Sequence, residues 1–408
     1  MALDLYRTAA QIDAALATAD LGPARGRRAD AVLAALRDAD ASTLNVRVEA
    51  AQGLLAFLPA EAVEPPGTVF DAPPPPVNFS VVATDGSHID VNRHLPLRCA
   101  LINIGGCRLT YGDAPDAELF SRPGLRTTDA DLFLQDPDTP SARQAVEGAL
   151  MGLVRTVEEA TALADAVEAD GSGLPTLALL DGTLVLWELG GELPPRGRYP
   201  DYVRERLLGD GLLAALDRIR DASARQPVAV TSYISLPNST EVVNLLRLAL
   251  CDLNPVGHCQ THCRAHVPGA RRCDAAHGLT DRELFERTLA PGQRSAVFAS
   301  RSPVARDAYG PHRVHFFYVN VGEEIGRVEM PAWVALDPAL LSLTHALVVD
   351  NARRGAGYPV ALQEAHEQAV VTGADREAFR NMVERALEGR GLPVYTSQKQ
   401  RSKRRPWV

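Results

Sequence analysis

Two short stretches of this chain share one pattern, in which an apolar run ends in Asp-Gly followed by Ser or Thr. They are Val-Val-Ala-Thr-Asp-Gly-Ser-His at 81–88 and Leu-Ala-Leu-Leu-Asp-Gly-Thr-Leu at 177–184. Each predicts a buried strand that carries an aspartate, Asp85 or Asp181, at its end. Two such carboxylates repel each other unless a cation lies between them. The repeat therefore predicts a shared Mg2+ or Mn2+ site, although one Asp-Gly alone is typical of a hairpin turn.

The order of the predicted elements indicates an α/β fold with a mixed sheet and flanking helices. A strand is predicted over 79–85, a turn at Gly86-Ser87, and further extended runs over 88–91, 99–104 and 108–111. A long helix over 141–169 and a strand over 176–181 come next. A helix near 202–222, a strand over 228–234 and a helix over 240–251, with Ser239 as its N-cap, follow. This is the order of a ribonuclease H-like fold. Strands one and four are neighbours in that fold, so Asp85 and Asp181 would face each other.

A third acid is expected from the long helix that precedes the fourth strand. This helix offers Glu147, Glu158 and Glu159. Glu158 lies on the same side as Val154 and Thr161 of the apolar stripe and is therefore preferred, with Glu159 the close alternative. Any of the three could instead be an ordinary solvated glutamate.

Residues 1–70 are predicted to form a helical N-terminal extension, because apolar residues recur there at helical spacing. The run Pro73–Pro76 then forms a stiff linker. The net charge of −9 does not indicate nucleic-acid binding, but residues 396–408 form a basic tail that could contact phosphates or simply be solvated. We expect a cytoplasmic protein without membrane contact, because no apolar run is long enough to span a bilayer and no signal peptide opens the chain.

Residues 251–277 form a Cys/His-rich insertion. Four of the six cysteines lie there, with histidines between them. Disulfides are rare in the cytoplasm, so clustered thiols indicate metal binding. We predict a structural Zn2+ held by Cys251, Cys259, Cys263 and Cys273. The spacing lacks the paired C-x2-C form, and a loop with free thiols or an iron–sulfur cluster are the alternatives.

A final candidate helix contains His366, which follows Leu362 at a spacing of four residues, with Tyr358 just before the helix. A histidine on an apolar helix face is more often a core or interface residue than a catalyst.

Five motifs, taken in order, resemble the NurA nuclease family. They are Asp-Gly-Ser at 85–87, Leu-Leu-Asp-Gly-Thr-Leu at 179–184, Phe-Phe-Tyr-Val-Asn at 316–320, Glu-Ile-Gly-Arg-Val-Glu-Met-Pro at 324–331 and Tyr-Pro-Val-Ala-Leu-Gln-Glu-Ala-His at 358–366. The resemblance implies a nuclease domain over residues 78–395, with 251–277 as an insertion outside the family pattern. By this resemblance Asp85 and Asp181 match the metal-binding aspartates, Glu158 or Glu159 the helix acid, and Tyr358 and His366 the C-terminal active-site residues.

The resemblance also implies an activity and partners. It implies a Mn2+- or Mg2+-dependent deoxyribonuclease, a 5'-3' exonuclease and single-strand endonuclease, in DNA end resection for repair or in anti-phage defence. Family members are homodimers that work with the hexameric ATPase HerA. The alternatives are a catalytically inactive nucleic-acid-binding scaffold with the same core and a transposase-like strand-transfer enzyme. Polarity, strand preference and the balance of exo- and endonuclease activity stay open at this point.

Overall fold

The structure is a computed structural model that describes residues 4–18, 23–91, 97–190, 199–253, 259 and 271–392. The chain divides into two compact units. The helical unit comprises residues 1–69, 238–288 and 295–298, and the sheet unit comprises residues 70–237, 289–294 and 299–408. Among the described residues, no helix is both long enough and apolar enough to cross a membrane.

A mixed β-sheet forms the centre of the sheet unit. Its main strands are β1 (Phe79–Ile89), β2 (Ala100–Tyr111), β3 (Asp116–Arg126), β4 (Thr176–Asp181), β5 (Val228–Ile234), β6 (Val314–Asn320) and β7 (Ile325–Pro331). They are arranged in the order β6-β7-β5-β4-β1-β2-β3. Strand β4 runs parallel to β1 and to β5, whereas β2 is antiparallel to both β1 and β3. The order 3-2-1-4-5 with an antiparallel second strand is the ribonuclease H-like arrangement, so the predicted fold class is confirmed.

The register between β1 and β4 brings the two repeated motifs together. Ser80 pairs with Thr176 and the ladder continues to the pair Thr84 and Leu180. The next residue on each strand is Asp85 or Asp181. Both strands are apolar and buried up to this point, as expected of parallel strands that helices cover on both faces.

The predictions for the first strands are wrong in three details. Strand β1 continues through Gly86 and Ser87, where the sequence indicated a turn. Strand β2 runs without interruption through Gly105 and Gly106, where the sequence indicated a break. These glycines mark close packing, because a Cβ on Gly106 would lie 2.3 Å from the ring of Phe120. Strand β3 was missed because it lies at the end of the strand order and is largely exposed, so it lacks an apolar alternation.

Helices pack on this sheet. They are α1 (Ala149–Glu168), α2 (Asp201–Arg204, a π-helical segment Glu205–Leu213, and Ala214–Ser223), α3 (Pro338–Arg354), α4 (Val360–Ala369) and α5 (Gly373–Glu388). Helix α1 starts later than predicted, because Arg143–Ala145 pairs with Phe133–Gln135 in a small hairpin. Gly211 allows α2 to approach α1 closely, since a Cβ there would lie 2.6 Å from Val157.

Helix α4 is fixed at both of its ends. At the first turn, Oδ1 of Asn351 accepts a hydrogen bond from the backbone N–H of Ala361 at 3.0 Å. At the last turn, Nδ2 of Asn103 on β2 donates to the carbonyls of Gln368 and Ala369 at 3.1 and 3.0 Å. These contacts satisfy backbone groups that a helix end leaves unpaired. They hold the helix that carries His366 in place over β2.

The described part of the helical unit contains the helices Leu5–Thr18, Pro23–Arg37, Ala41–Ala50, Glu241–Ala249 and Asp281–Phe285, together with the short strand Glu61–Ala62. The predicted N-terminal helices are found in the described residues up to Ala50, whereas residues 51–60 form no helix and Glu61–Ala62 is a strand. The predicted N-cap at Ser239 is wrong. The buried carboxylate of Asp281 accepts hydrogen bonds from the N–H groups of Val242 and Val243 at 3.1 and 2.8 Å, so a distant residue caps this helix.

Gly105 should be intolerant of a side chain because α4 packs directly on it. A Cβ at this position would lie 2.2 Å from the backbone nitrogen of Ala369 and 2.6 Å from the carbonyl oxygen of Ala365. We expect Gly105→Ala to cost roughly 1–3 kcal/mol, as for other overpacked sites, and to lower the urea unfolding midpoint. Gly124→Ala on β3 is the matched control, because its nearest atom would lie at 3.6 Å. Equal midpoints for the two variants would contradict this packing argument.

Candidate active site

The carboxyl-terminal ends of β1 and β4 open into a cleft of about 430 Å³. Asp85, Asp181, Glu159 and His366 line this cleft, as does Arg155. Oδ1 of Asp85 accepts a hydrogen bond from the N–H of Gly86 at 2.7 Å, which fixes the carboxylate at the point where the apolar run ends. Two strands and one helix thus bring three acidic side chains to one place.

Glu159 is the buried acid of the cleft. Glu159 is only 6% exposed. The hydroxyl of Thr84 on β1 donates a hydrogen bond to the backbone carbonyl of Glu159 at 2.9 Å. Its Oε1 atom has no hydrogen-bond partner, although Nε of Arg155 lies 3.3 Å away. Burial raises the pKa of Glu159 to about 8; Arg155 opposes this shift, while the charges of Asp85 and Asp181 add to it. A buried carboxyl group beside two other acids is unfavourable in its charged form, and a bound metal cation would stabilise that form.

Asp85 also holds His366. Nδ1 of His366 lies 2.8 Å from Oδ2 of Asp85, and the imidazole is 61% exposed. With Asp85 ionised, Nδ1 donates the hydrogen bond, which leaves Nε2 as the nitrogen able to accept a proton. His366 is therefore not a buried core residue, which was one of the alternatives left open by the sequence.

Asp181 is oriented by Tyr358. The Tyr358 hydroxyl donates to Oδ1 of Asp181 at 3.1 Å, and the Tyr358 ring packs edge-on against Tyr233 at 5.7 Å between ring centroids. Partial desolvation raises the pKa of Asp181. The hydrogen bond from Tyr358 opposes this shift, and the negative charge of Asp85 adds to it. Burial and the neighbouring acids also raise the pKa of Tyr358, so its hydroxyl stays a donor.

A buried ion pair supports the loop that follows Asp181. Arg327 and Glu329 on β7 are each 1% exposed, and Nε of Arg327 donates to Oε1 of Glu329 at 2.8 Å. The other oxygen, Oε2, accepts from the Thr183 hydroxyl and the N–H of Leu184, each at 2.8 Å. Sequence analysis missed this positioning role. The available signal was Arg-Val-Glu inside an apolar strand, since two charges on one buried face must pair.

The two other candidate helix acids lie in different surroundings. Both oxygens of Glu158 accept hydrogen bonds from Nη2 of Arg126, at 2.6 and 2.7 Å. Glu158 lines a separate pocket with Asp131 and Arg206. Glu147 forms an ion pair with Arg98 at 2.8 Å. The preferred choice from sequence, Glu158, is therefore placed away from the cleft, and its neighbour Glu159 is placed in it.

The predicted zinc site lies only partly within the described residues. Cys251, Cys259 and Cys273 are partly buried, whereas Cys263 lies outside the described residues. Burial raises the pKa of the Cys273 thiol. Within the described ranges, no group of three or more His, Cys, Asp or Glu side chains is already arranged around a metal position. The zinc site stays a prediction.

Comparison with known protein families decides the affiliation of the chain. The profile of the NurA domain matches residues 79–371. The chain belongs to the NurA family. The resemblance drawn from five motifs is therefore confirmed, and NurA membership makes this protein a nuclease, a hydrolase of a family that acts on DNA. The comparison with curated proteins found no match to this chain.

Among solved structures, this NurA protein is similar to LC9-RNase H1, a type 1 RNase H with the type 2 active-site motif. The identity is 10% and the TM-score 0.19, over 42% of this chain and 69% of that one. A likeness this loose carries no argument, and the fold assignment rests on the strand order instead.

The donor atoms of the cleft suit a hard divalent cation, although in the described part of the chain its acids are not already arranged around one metal position. Asp85, Glu159 and Asp181 present only oxygen donors, the ligands that Mg2+ and Mn2+ prefer. Oε1 of Glu159 is buried and accepts no hydrogen bond, so it has a free lone pair for a metal ion beside its ion pair with Arg155.

The raised pKa of Glu159 predicts how the stability of the metal-free protein depends on pH. Its folded-state pKa of about 8 lies above the ordinary value of 4.5. Its contribution to the free energy of unfolding is thus fully present below about pH 4.5 and is lost as the pH rises through about 8. With EDTA, the wild type should lose up to about 1.4 kcal/mol per pH unit across this window relative to Glu159→Gln.

Urea unfolding from pH 5 to pH 8 measures this difference. The control is Glu147→Gln, which leaves Glu159 in place and should keep the wild-type slope. Parallel pH profiles for the wild type and Glu159→Gln would mean that Glu159 is not buried among the other carboxylates as described.

Proposed function

We propose that this protein is a metal-dependent deoxyribonuclease with Asp85, Glu159 and Asp181 as its metal-binding carboxylates. One observation carries the proposal: the aspartates at the ends of the paired strands β1 and β4 and the buried Glu159 of α1 line one cleft. Family membership supplies the substrate class, DNA. We propose Glu159 in place of Glu158 because Glu159 lines the cleft with both aspartates, whereas Glu158 lines a separate pocket.

The three carboxylates would hold Mn2+ or Mg2+ against the scissile phosphate. A divalent ion bound there lowers the pKa of an attacking water and offsets the negative charge on the phosphate. Arg155 lines the same cleft, and its Nη1 donates to the carbonyl of Gly86 at 2.6 Å. This contact keeps a positive charge beside the acids, so the cleft accepts an anionic substrate in spite of its carboxylates.

His366 and Tyr358 have separate roles. The hydrogen bond from Nδ1 to Asp85 leaves Nε2 of the exposed His366 ring able to take up or release a proton at the reacting phosphate. Tyr358 donates to Asp181 and so fixes the direction of that carboxylate. Loss of its hydroxyl would therefore loosen the metal site rather than remove a ligand.

The finer features of the activity, and the partners of this protein, are inferred from its resemblance to other NurA nucleases. We propose a 5'-3' exonuclease and single-strand endonuclease that forms a homodimer and works with a HerA-type hexameric ATPase, in end resection or in anti-phage defence. The sequence supports a motor in trans, since it contains no Gly-x-x-x-x-Gly-Lys-Ser/Thr motif. The alternative of an inactive scaffold loses support because all three carboxylates and His366 are present in one cleft.

Activity assays on variants of the three cleft acids, with Glu158 as the control, test the site directly. Asp85→Asn, Asp181→Asn and Glu159→Gln should each lower cleavage of single-stranded DNA with Mn2+ by several orders of magnitude, because each removes a charged ligand. Glu158→Gln should stay near the wild-type rate, with an unchanged circular dichroism spectrum as the check on folding. A Glu158→Gln variant as inactive as Asp181→Asn, beside an active Glu159→Gln, would reverse the assignment.

A reconstitution assay tests the partner. If the motor acts in trans, the cognate HerA-type ATPase and this protein should co-elute well above the 43.8 kDa of one chain. ATP should then stimulate duplex cleavage only when both proteins are present. Degradation of long duplexes by this protein alone, at a rate that the ATPase and ATP leave unchanged, would contradict the proposed division of labour.

A further inference from the structure

Trp187 is a large aromatic side chain exposed at the rim of the carboxylate cleft. It lies six residues after Asp181, lines the cleft and is 44% exposed. Tryptophan is usually well buried, because its ring supplies more apolar area than most side chains. An exposed indole beside an active site is therefore a candidate contact for a ligand with a flat apolar face.

The backbone under Trp187 is held firmly. Leu184, Val185 and Leu186 are 2%, 1% and 4% exposed and anchor the loop in the core. The buried hydroxyl of Tyr309 donates to the carbonyl of Leu184 at 2.8 Å and accepts from the N–H of Leu186 at 2.9 Å. The loop then tightens into the helical turn Trp187–Leu189. The indole is thus presented from a fixed base, and little conformational entropy is lost when it binds.

The lining of the cleft combines carboxylates with apolar side chains. Asp85, Glu159 and Asp181 supply the carboxylates, and Trp187, Leu153, Val185 and Leu186 are its apolar members. A nucleotide combines the same two chemistries, because the sugar joins a charged phosphate to a flat base. A phosphate held by a metal ion at the carboxylates would bring an adjacent base within the same cleft as Trp187, which is of a size for a small ligand.

We propose that Trp187 stacks on an unpaired nucleobase next to the scissile phosphate and so selects single-stranded or frayed DNA over a continuous duplex. The inference rests on the proposed function. Bases within a duplex are already stacked on both faces, so an indole can reach only a base that has left the stack. Stacking is tolerant of sequence, because every base has a π-face. The residue therefore selects strandedness and not a particular base.

The kinetic test uses the full-length protein with Mn2+ and a labelled single-stranded oligonucleotide. Base–aromatic stacking predicts that Trp187→Ala raises KM by roughly 5- to 150-fold with a small change in kcat, and that Trp187→Phe restores most of the loss. Leu336→Ala is the control, since Leu336 is 61% exposed in the same unit and lies outside the cleft lining. It should match the wild type. An unchanged KM for Trp187→Ala overturns the proposal.

Abasic substrates show whether the base is the partner. A single abasic position, moved along the oligonucleotide, should weaken the wild type at one step from the cleavage point. At that step it should also remove the difference between the wild type and Trp187→Ala. If the Trp187→Ala defect persists at every abasic position, the indole does not act on a base. A defect seen only when another protein is added would instead make Trp187 a protein-docking residue, which also overturns the proposal.

A binding measurement separates this inference from the nuclease proposal. With Ca2+ in place of Mn2+, single-stranded DNA should quench the fluorescence of the wild type, and Trp187→Phe should lack most of that quenching. Equal quenching in both proteins contradicts the stacking role. A wild type that cleaves no DNA with any divalent ion, yet shows quenching dependent on Trp187, would refute the nuclease proposal and leave the stacking inference in place.

Discussion

The parallel pairing of β1 with β4 is the constraint on which the rest of the site depends. Its register places Asp85 beside Asp181 at the ends of two buried apolar strands. Helix α1 crosses the same strands and adds Glu159, whose backbone is tied to β1 through Thr84. Three acids are thus gathered at the end of a hydrophobic layer, where their mutual repulsion is poorly screened. The fold tolerates this repulsion because strand pairing and core packing elsewhere contribute enough stability to offset it.

The surrounding polar contacts reduce the freedom of these acids. Asp85 is held by His366, Asp181 by Tyr358, and the loop after Asp181 by the buried Arg327–Glu329 pair. Helix α4, which carries His366, is fixed on β2 by Asn103 and by the absence of a side chain at Gly105. Residues far apart in sequence therefore determine where the reactive groups lie. A site assembled in this way is organised before substrate binds, which is what electrostatic catalysis requires.

Much of this arrangement was predictable from sequence, and the failures have physical reasons. The repeated strand–Asp–Gly pattern and the element order predicted the neighbouring strands and the ribonuclease H-like sheet. The apolar stripe of α1 led to a preference for Glu158, which the structure places in a separate pocket from the two aspartates. Side chains one position apart on a helix point in directions that differ by about 100°, and the stripe does not reveal which covering element carries a cation such as Arg126. Asp281 as a helix cap and Glu329 as a loop anchor depend on tertiary contacts that no local pattern records.

The central claim is that Asp85, Glu159 and Asp181 share one divalent cation. An anomalous difference map from crystals of the full-length protein grown with Mn2+ tests it most directly. The account predicts a peak in the cleft, with an oxygen of each of the three carboxylates at roughly 2.1 Å, the distance typical of small hard cations. A cleft without a peak, or a peak bound by Glu158 and not by Glu159, would contradict it.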